Sequence, residues 1–84
     1  MTSDKNNLNT PFKVTVGKRK ITIDYNDLGK MQLPLEPVRE ITGQDRLAVV
    51  ESMILDAALH NGFIFSNFEI REMAEAVIQA VLLS

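Results

Sequence analysis

The sequence predicts a small α+β domain in which an N-terminal β-hairpin, open to a third and irregular edge strand, packs on a C-terminal antiparallel helical hairpin. Three observations carry this. Apolar residues alternate with polar ones on two short arms between Phe12 and Tyr25. After Gly43 the apolar period changes to that of a helix, with recognisable start and stop signals. And 84 residues leave room for one hydrophobic core only.

On the first arm Phe12, Val14 and Val16 alternate with Lys13 and Thr15; on the second Ile21, Ile23 and Tyr25 alternate with Thr22 and Asp24. Opposed residues of a hairpin must share a face. A four-residue loop over Gly17 to Lys20 pairs Val16 with Ile21, Val14 with Ile23 and Phe12 with Tyr25, so every apolar residue meets another. A two-residue Gly17-Lys18 turn also matches the faces but sets Val16 against Arg19, and the longer loop is preferred. Either way one face is apolar and must be covered, because a lone hairpin is not stable in water.

The flanking segments are less regular. Residues 1–11, polar and rich in Asn, read as a flexible tail, and 12–84 as the single domain. Asn26-Asp27-Leu28-Gly29 reads as a turn. Met31 to Pro37 carries two prolines that argue against a helix and a central strand, so it is expected to be extended, with Met31, Leu33 and Leu35 on one side; Pro37 could then open a single helical turn through Val38 and Ile41.

Two helices are expected, over Gly43 to Asn61 and Asn67 to Leu83. Thr42 with Asp45 resembles a capping pair, Ser66 with Glu69 has the full S-x-x-E form of a capping box, and Asn61-Gly62 supplies a stop. The short link Phe63-Ile64-Phe65 makes the helices antiparallel neighbours. Ile70, Met73, Ala74, Val77 and Val81 form one stripe on the second helix, with Glu69, Glu72, Glu75 and Gln79 along another side. The first helix is apolar almost all round. Leu47, Val50, Ile54, Ala57 and Ala58 form its stripe, which Val49 and Met53 widen on one flank and Leu55 and Leu59 on the other. Such a helix is usually buried on more than one side.

Composition excludes several functions. The 45% hydrophobic and 24% charged content is that of a chain that folds, and the absence of cysteine removes disulfides, thiolate metal sites and a cysteine nucleophile. The N-terminus lacks the basic start and apolar run of an export signal, no apolar run approaches the ~20 residues that span a bilayer, and the expected setting is the cytoplasm. The net charge of -2 conceals an asymmetry: seven basic residues oppose five acidic ones over 1–42, and two arginines oppose six carboxylates over 43–84. Such a balance does not by itself draw a domain to phosphate.

Candidate chemistry is sparse. His60, alone of its kind, falls at the C-terminus of the first helix, where a cationic or dipolar ring suits the helix's negative end; one histidine without cysteine is a poor start for a zinc site. Asp24, Asn26 and Gly29 echo a calcium loop, but Leu28 and Leu35 stand where its fifth and twelfth ligands belong. Glu69, Glu72 and Glu75 read as a solvated acidic face. Ser52 and Ser66 lack a base with an orienting carboxylate, and the four glycines form no phosphate-cradling motif. The order of strand and two helices resembles ribbon-helix-helix regulators, from which the chain departs in having a hairpin and a proline-bearing connector before the first helix.

The expected function is therefore a non-enzymatic protein-protein interaction module without cofactor or metal, whose helices self-associate as a homodimer or meet another protein. The candidate interface is Val49, Met53, Leu55, Leu59, Phe63, Phe65 and Phe68; the apolar cluster Phe63, Ile64, Phe65 and Phe68 reads as core or as a binding knob at the helical tip. The alternative is a small nucleic-acid-binding regulator that uses the basic hairpin tip, Lys13, Lys18, Arg19 and Lys20. An inhibitor or adaptor of a larger enzyme is a third class that the composition allows.

Overall fold

A computed structural model describes residues 12–25 and 28–84. The segment read as a flexible tail, and Asn26 and Asp27 of the expected turn, lie outside the described residues. Three strands come first, β1 (Phe12–Val16), β2 (Lys20–Tyr25) and β3 (Gly29–Pro34), followed by helices α1 (Leu35–Glu40), α2 (Arg46–His60) and α3 (Asn67–Leu83). The strands form one antiparallel sheet in the order β1-β2-β3. This is the α+β fold expected, with the helices on one face of the sheet and, among the described residues, no element on the other.

The hairpin register is the one that matches the apolar positions: Phe12 faces Tyr25, Val14 faces Ile23 and Val16 faces Ile21. The Gly17 N–H donates to the Lys20 carbonyl at 2.8 Å and closes the longer loop. β3 is a regular six-residue strand rather than an irregular one, with Met31 against Ile23 and Leu33 against Ile21. Pro34 fits because β3 is an edge strand: the Leu35 N–H bonds the Arg19 carbonyl at 2.9 Å, so by alternation the position of Pro34 points away from β2, where a missing N–H costs no ladder bond. Gly29 has φ +120, outside the range that side chains favour, and starts the strand directly after the turn.

Two expectations are corrected. The stretch to Pro37 is extended only as far as Pro34, and α1 begins at Leu35, two residues before Pro37. Pro37 is the third helical residue, where a backbone N–H has no acceptor within the helix, so the ring removes nothing the helix uses. The first long helix begins at Arg46, not Gly43, and without a Thr42–Asp45 capping pair. Asp45, at the N-cap, has φ -82 and ψ -4 rather than the extended backbone from which a side chain can reach back, and makes no cap bond. The chain enters α2 through a turn at Gly43, φ +86, secured by the Arg46 Nε bond to the Ile41 carbonyl at 3.0 Å.

The other termini follow their sequence signals. At the end of α2 the Phe63 N–H bonds the Ala58 carbonyl (2.8 Å) and the Gly62 N–H bonds the Leu59 carbonyl (3.2 Å), the paired closure of a Schellman motif with Gly62 at φ +76. At the start of α3 the Glu69 N–H donates to Ser66 Oγ (3.2 Å) and the Ser66 N–H to Glu69 Oε1 (2.8 Å), completing the capping box. α2 and α3 pack on each other, α2 lying towards β3 and α3 towards β1. The core between the layers holds Ile21, Ile23, Met31 and Leu33 of the sheet, Leu35 and Val38 of α1, Val50, Ile54 and Ala58 of α2, and Ile70, Met73, Ala74 and Val77 of α3. Among the described residues no helix is long and apolar enough to cross a membrane.

Candidate interaction surfaces

α2 carries apolar residues on more of its circumference than the sheet can shield. Val50, Ile54 and Ala58 face the core, which puts Leu55 and Leu59, one turn apart, on the reverse of the helix, 48% and 64% exposed. At the tip of the helical hairpin Ile64 is 92% and Phe68 67% exposed. Between these groups a shallow groove separates α2 from α3, lined by Ala48, Ser52, Leu55, Asn67 and Ile70; across the same two helices Arg71 Nε approaches Glu51 Oε2 at 3.6 Å. Val49 is exposed on the flank of α2.

The remaining candidates of this surface turn inward. Met53 is half-buried against the core, beside Leu33 and Pro34, because the third strand widens the sheet beyond what a hairpin would cover. Phe63 and Phe65 are half-buried as well. They end a ladder of rings: Phe12 stacks on Tyr25 at 5.9 Å, Tyr25 meets Phe65 at 4.9 Å, and Phe65 meets Phe63 at 6.0 Å edge-on. Of the aromatic cluster, then, Phe68 and the neighbouring Ile64 reach solvent while Phe63 and Phe65 tie the link to the hairpin. Ile64, set between two half-buried phenylalanines, is the most exposed member of the cluster that the sequence offers as core or knob.

The opposite face of the molecule is polar and basic. Lys18 and Arg19 occupy the β1–β2 turn, and Lys13 and Lys20 lie on the solvent side of the sheet, all exposed. β3 adds Lys30, which sits across Asp24 from Lys13 in register. Thr15, Thr22 and Gln32 form the next row. Five cations thus share the sheet with one carboxylate, while the helices hold most of the acidic residues. No aromatic ring belongs to this face, so its offer to a nucleic acid is contact with phosphate and not base stacking.

The titratable groups singled out by sequence have local structural roles. His60 Nδ1 lies 2.9 Å from the Asp56 carbonyl and 3.7 Å from its carboxylate, on the exposed last turn of α2. Glu69 completes the capping box and also accepts the Tyr25 hydroxyl at 3.2 Å. Burial pushes the Tyr25 hydroxyl above its ordinary range, with the Glu69 acceptor and the charges of Glu69 and Glu72 adding to it. The Ser66 N–H holds the Glu69 carboxyl below its ordinary range, more strongly than partial burial raises it. No three His, Asp or Glu side chains among the described residues converge as a metal site requires. A cavity of about 160 Å³ lined by Val38, Arg39, Arg46, Ile78, Val81 and Leu82 is below the ~300 Å³ of ordinary ligand pockets.

Compared with protein families, curated proteins and solved structures, the chain matches none.

Proposed function

We propose that this chain is a non-enzymatic protein-protein interaction module that self-associates through the apolar reverse face and tip of its helical hairpin. One observation carries the reading: Leu55, Leu59, Ile64 and Phe68, four large apolar side chains, stand in solvent on that side of the molecule. Transfer of such surface out of water stabilises a complex by roughly 25 cal/mol per Å² before the costs of association, and clustered exposure of this kind marks interaction surfaces on small domains. An aromatic anchor such as Phe68 at a protruding tip is also of the residue class that dominates interface energetics.

Sedimentation over a micromolar concentration series tests this. The chain is expected to associate, and Leu59→Glu combined with Phe68→Glu to lower the association. A 9.4 kDa species at every concentration would overturn the reading.

A second reading is favoured by the position of Lys30. With Lys13, Lys18, Arg19 and Lys20 it makes the solvent face of the sheet a cationic plate, which suits a small regulator that grips a nucleic-acid backbone. Binding to duplex DNA or RNA that weakens steeply with salt, and that Lys18→Glu with Lys30→Glu abolishes, is the expected result under that reading. Equal binding by the variant, or none by the parent chain, eliminates it.

A further inference from the structure

We infer that the outer edge of β1 is a pairing edge for a second copy of this chain, joined antiparallel about a two-fold axis at Val14. The inference uses a surface other than the helical one above. It begins with the direction of the backbone groups. The bond from the Gly17 N–H to the Lys20 carbonyl makes that pair a hydrogen-bonded one. Bonded and non-bonded pairs alternate along an antiparallel ladder, so Thr15 bonds Thr22 and Lys13 bonds Asp24. The N–H and C=O groups of Phe12, Val14 and Val16 therefore point away from β2. Among the described residues no strand lies on that side.

The two edges of the sheet differ. On β3 the outward positions are Lys30, Gln32 and Pro34, and a proline with a neighbouring lysine is a usual guard against edge pairing. On β1 every outward position keeps its donor, and the side chains at those positions are all apolar. The space beyond the edge is apolar too. An open groove lies between β1 and α3, lined by Phe12, Val14, Ala76, Ala80 and Leu83, with Glu75 and Gln79 at its rim. The small alanines of α3 leave room for inward side chains of an added strand, and Leu83 is 79% exposed at the end of the groove.

The occupant follows from self-complementarity. Pairing must join outward-facing residues to outward-facing residues, here the even positions 12, 14 and 16. An axis at Val14 sets Val14 against Val14 of the second copy, Phe12 against Val16, and Lys13 against Thr15. The whole strand is used, every inward pair is apolar, and no like charges are directly opposed. An axis between two residues joins outward groups to inward ones. An axis at Lys13 sets two lysines against each other and leaves Val16 without a partner in the strand. An axis at Thr15 leaves Phe12 without one, and an axis at Phe12 or Val16 leaves most of the strand unpaired. The strand is thus matched to itself in one register, and pairing yields one continuous sheet of six strands. Two different two-fold contacts on one chain carry assembly beyond a dimer, so this edge together with the helical surface gives species larger than a dimer.

The test combines sedimentation with amide exchange and two variants. Val14→Pro deletes a donor that β1 does not use within its own chain, and so spares the fold while removing the central bond to the second copy; Ala80→Glu places a charge in the groove. In the parent chain the Val14 amide is expected to exchange about tenfold or more slowly on assembly than after dilution to the monomer, with Thr15 protected in both. Each variant is expected to lose one association step. An assembly unchanged by both variants, or a Val14 amide whose exchange is independent of concentration, overturns the inference. So does Val14 protection in a sedimenting monomer, which would assign the groove to another segment. A dimer dispersed by Val14→Pro but not by Leu59→Glu with Phe68→Glu leaves this inference standing and removes the helical one, and the converse pattern does the opposite.

Discussion

The Tyr25 hydroxyl donates to Oε2 of Glu69 at 3.2 Å while Oε1 of the same carboxylate accepts the Ser66 N–H at 2.8 Å. One side chain therefore caps α3 and ties that helix to the last residue of β2, 44 positions away in sequence. The contact from Tyr25 is long for a hydroxyl donating to a carboxylate, which places its contribution at the low end for hydrogen bonds. Tyr25→Phe keeps the ring between Phe12 and Phe65 and is expected to cost about 0.5 kcal/mol. Glu69→Ala removes one half of the capping box as well and is expected to cost about 1 kcal/mol. Urea denaturation of the two variants checks the order; a Tyr25→Phe loss larger than that of Glu69→Ala would show that the cap is not the main role of the carboxylate.

The same pair predicts two pH dependences of opposite direction. The Glu69 carboxyl is held below its ordinary range in the folded chain, so the native state binds its proton less readily than the unfolded chain does. Its contribution is complete above the unfolded value of about 4.3 and is lost as pH falls through the lower folded value. The Tyr25 hydroxyl is raised, so the folded chain keeps a proton that the unfolded chain releases; its contribution is complete below about pH 10 and declines above it. Thermal unfolding from neutral pH downward should show a loss below about pH 4.5 that is shallower in Glu69→Gln. An identical acid slope in the two proteins contradicts the assignment.

How far these features can be read from sequence depends on whether they are local. The hairpin register follows from matched alternation on two adjacent arms, and the ends of α3 and α2 from a capping box and a glycine stop, each a pattern of a few neighbouring residues. Pro34 and Pro37 mislead because proline is read as a breaker, whereas its effect depends on where its missing N–H would have pointed: outward from the sheet edge in one case, into the unpaired first turn of α1 in the other. Asp45 has the composition of a cap but not the backbone angles. The places of Lys30 and Ile64 escape a sequence reading for a third reason. The first joins the basic face only through the register of β3, and the second leaves the core only because the link between the helices turns its neighbours inward.

Gly62 isolates backbone strain from packing. Its φ of +76 is unfavourable for a side chain, yet a Cβ built there meets no heavy atom within 4 Å. Gly62→Ala should thus cost about 1 kcal/mol from the left-handed backbone alone, with no change in oligomeric state. A cost several times larger in chemical denaturation would mean that the α2–α3 link is displaced, and Phe63, bonded to the Ala58 carbonyl across this turn, would be the residue to follow.

Ile54 and Leu59 lie on the same helix and separate stability from association. Ile54 is fully buried between the sheet and α3, so Ile54→Ala deletes core volume and should destabilise the chain by about 2–5 kcal/mol. Leu59 is 64% exposed, and Leu59→Ala should change the stability of the isolated chain by no more than about 0.5 kcal/mol. If the reverse of α2 is an interface, the ranking inverts when association is measured under conditions where both variants stay folded: Leu59→Ala weakens it and Ile54→Ala does not. Denaturation midpoints taken across a dilution series read both quantities at once, because stability drawn from association depends on protein concentration and stability drawn from the core does not. A midpoint that is independent of concentration in the parent chain, with Leu59→Ala identical to it, would mean that Leu59 is an ordinary exposed leucine and that the helical face holds no partner of its own kind.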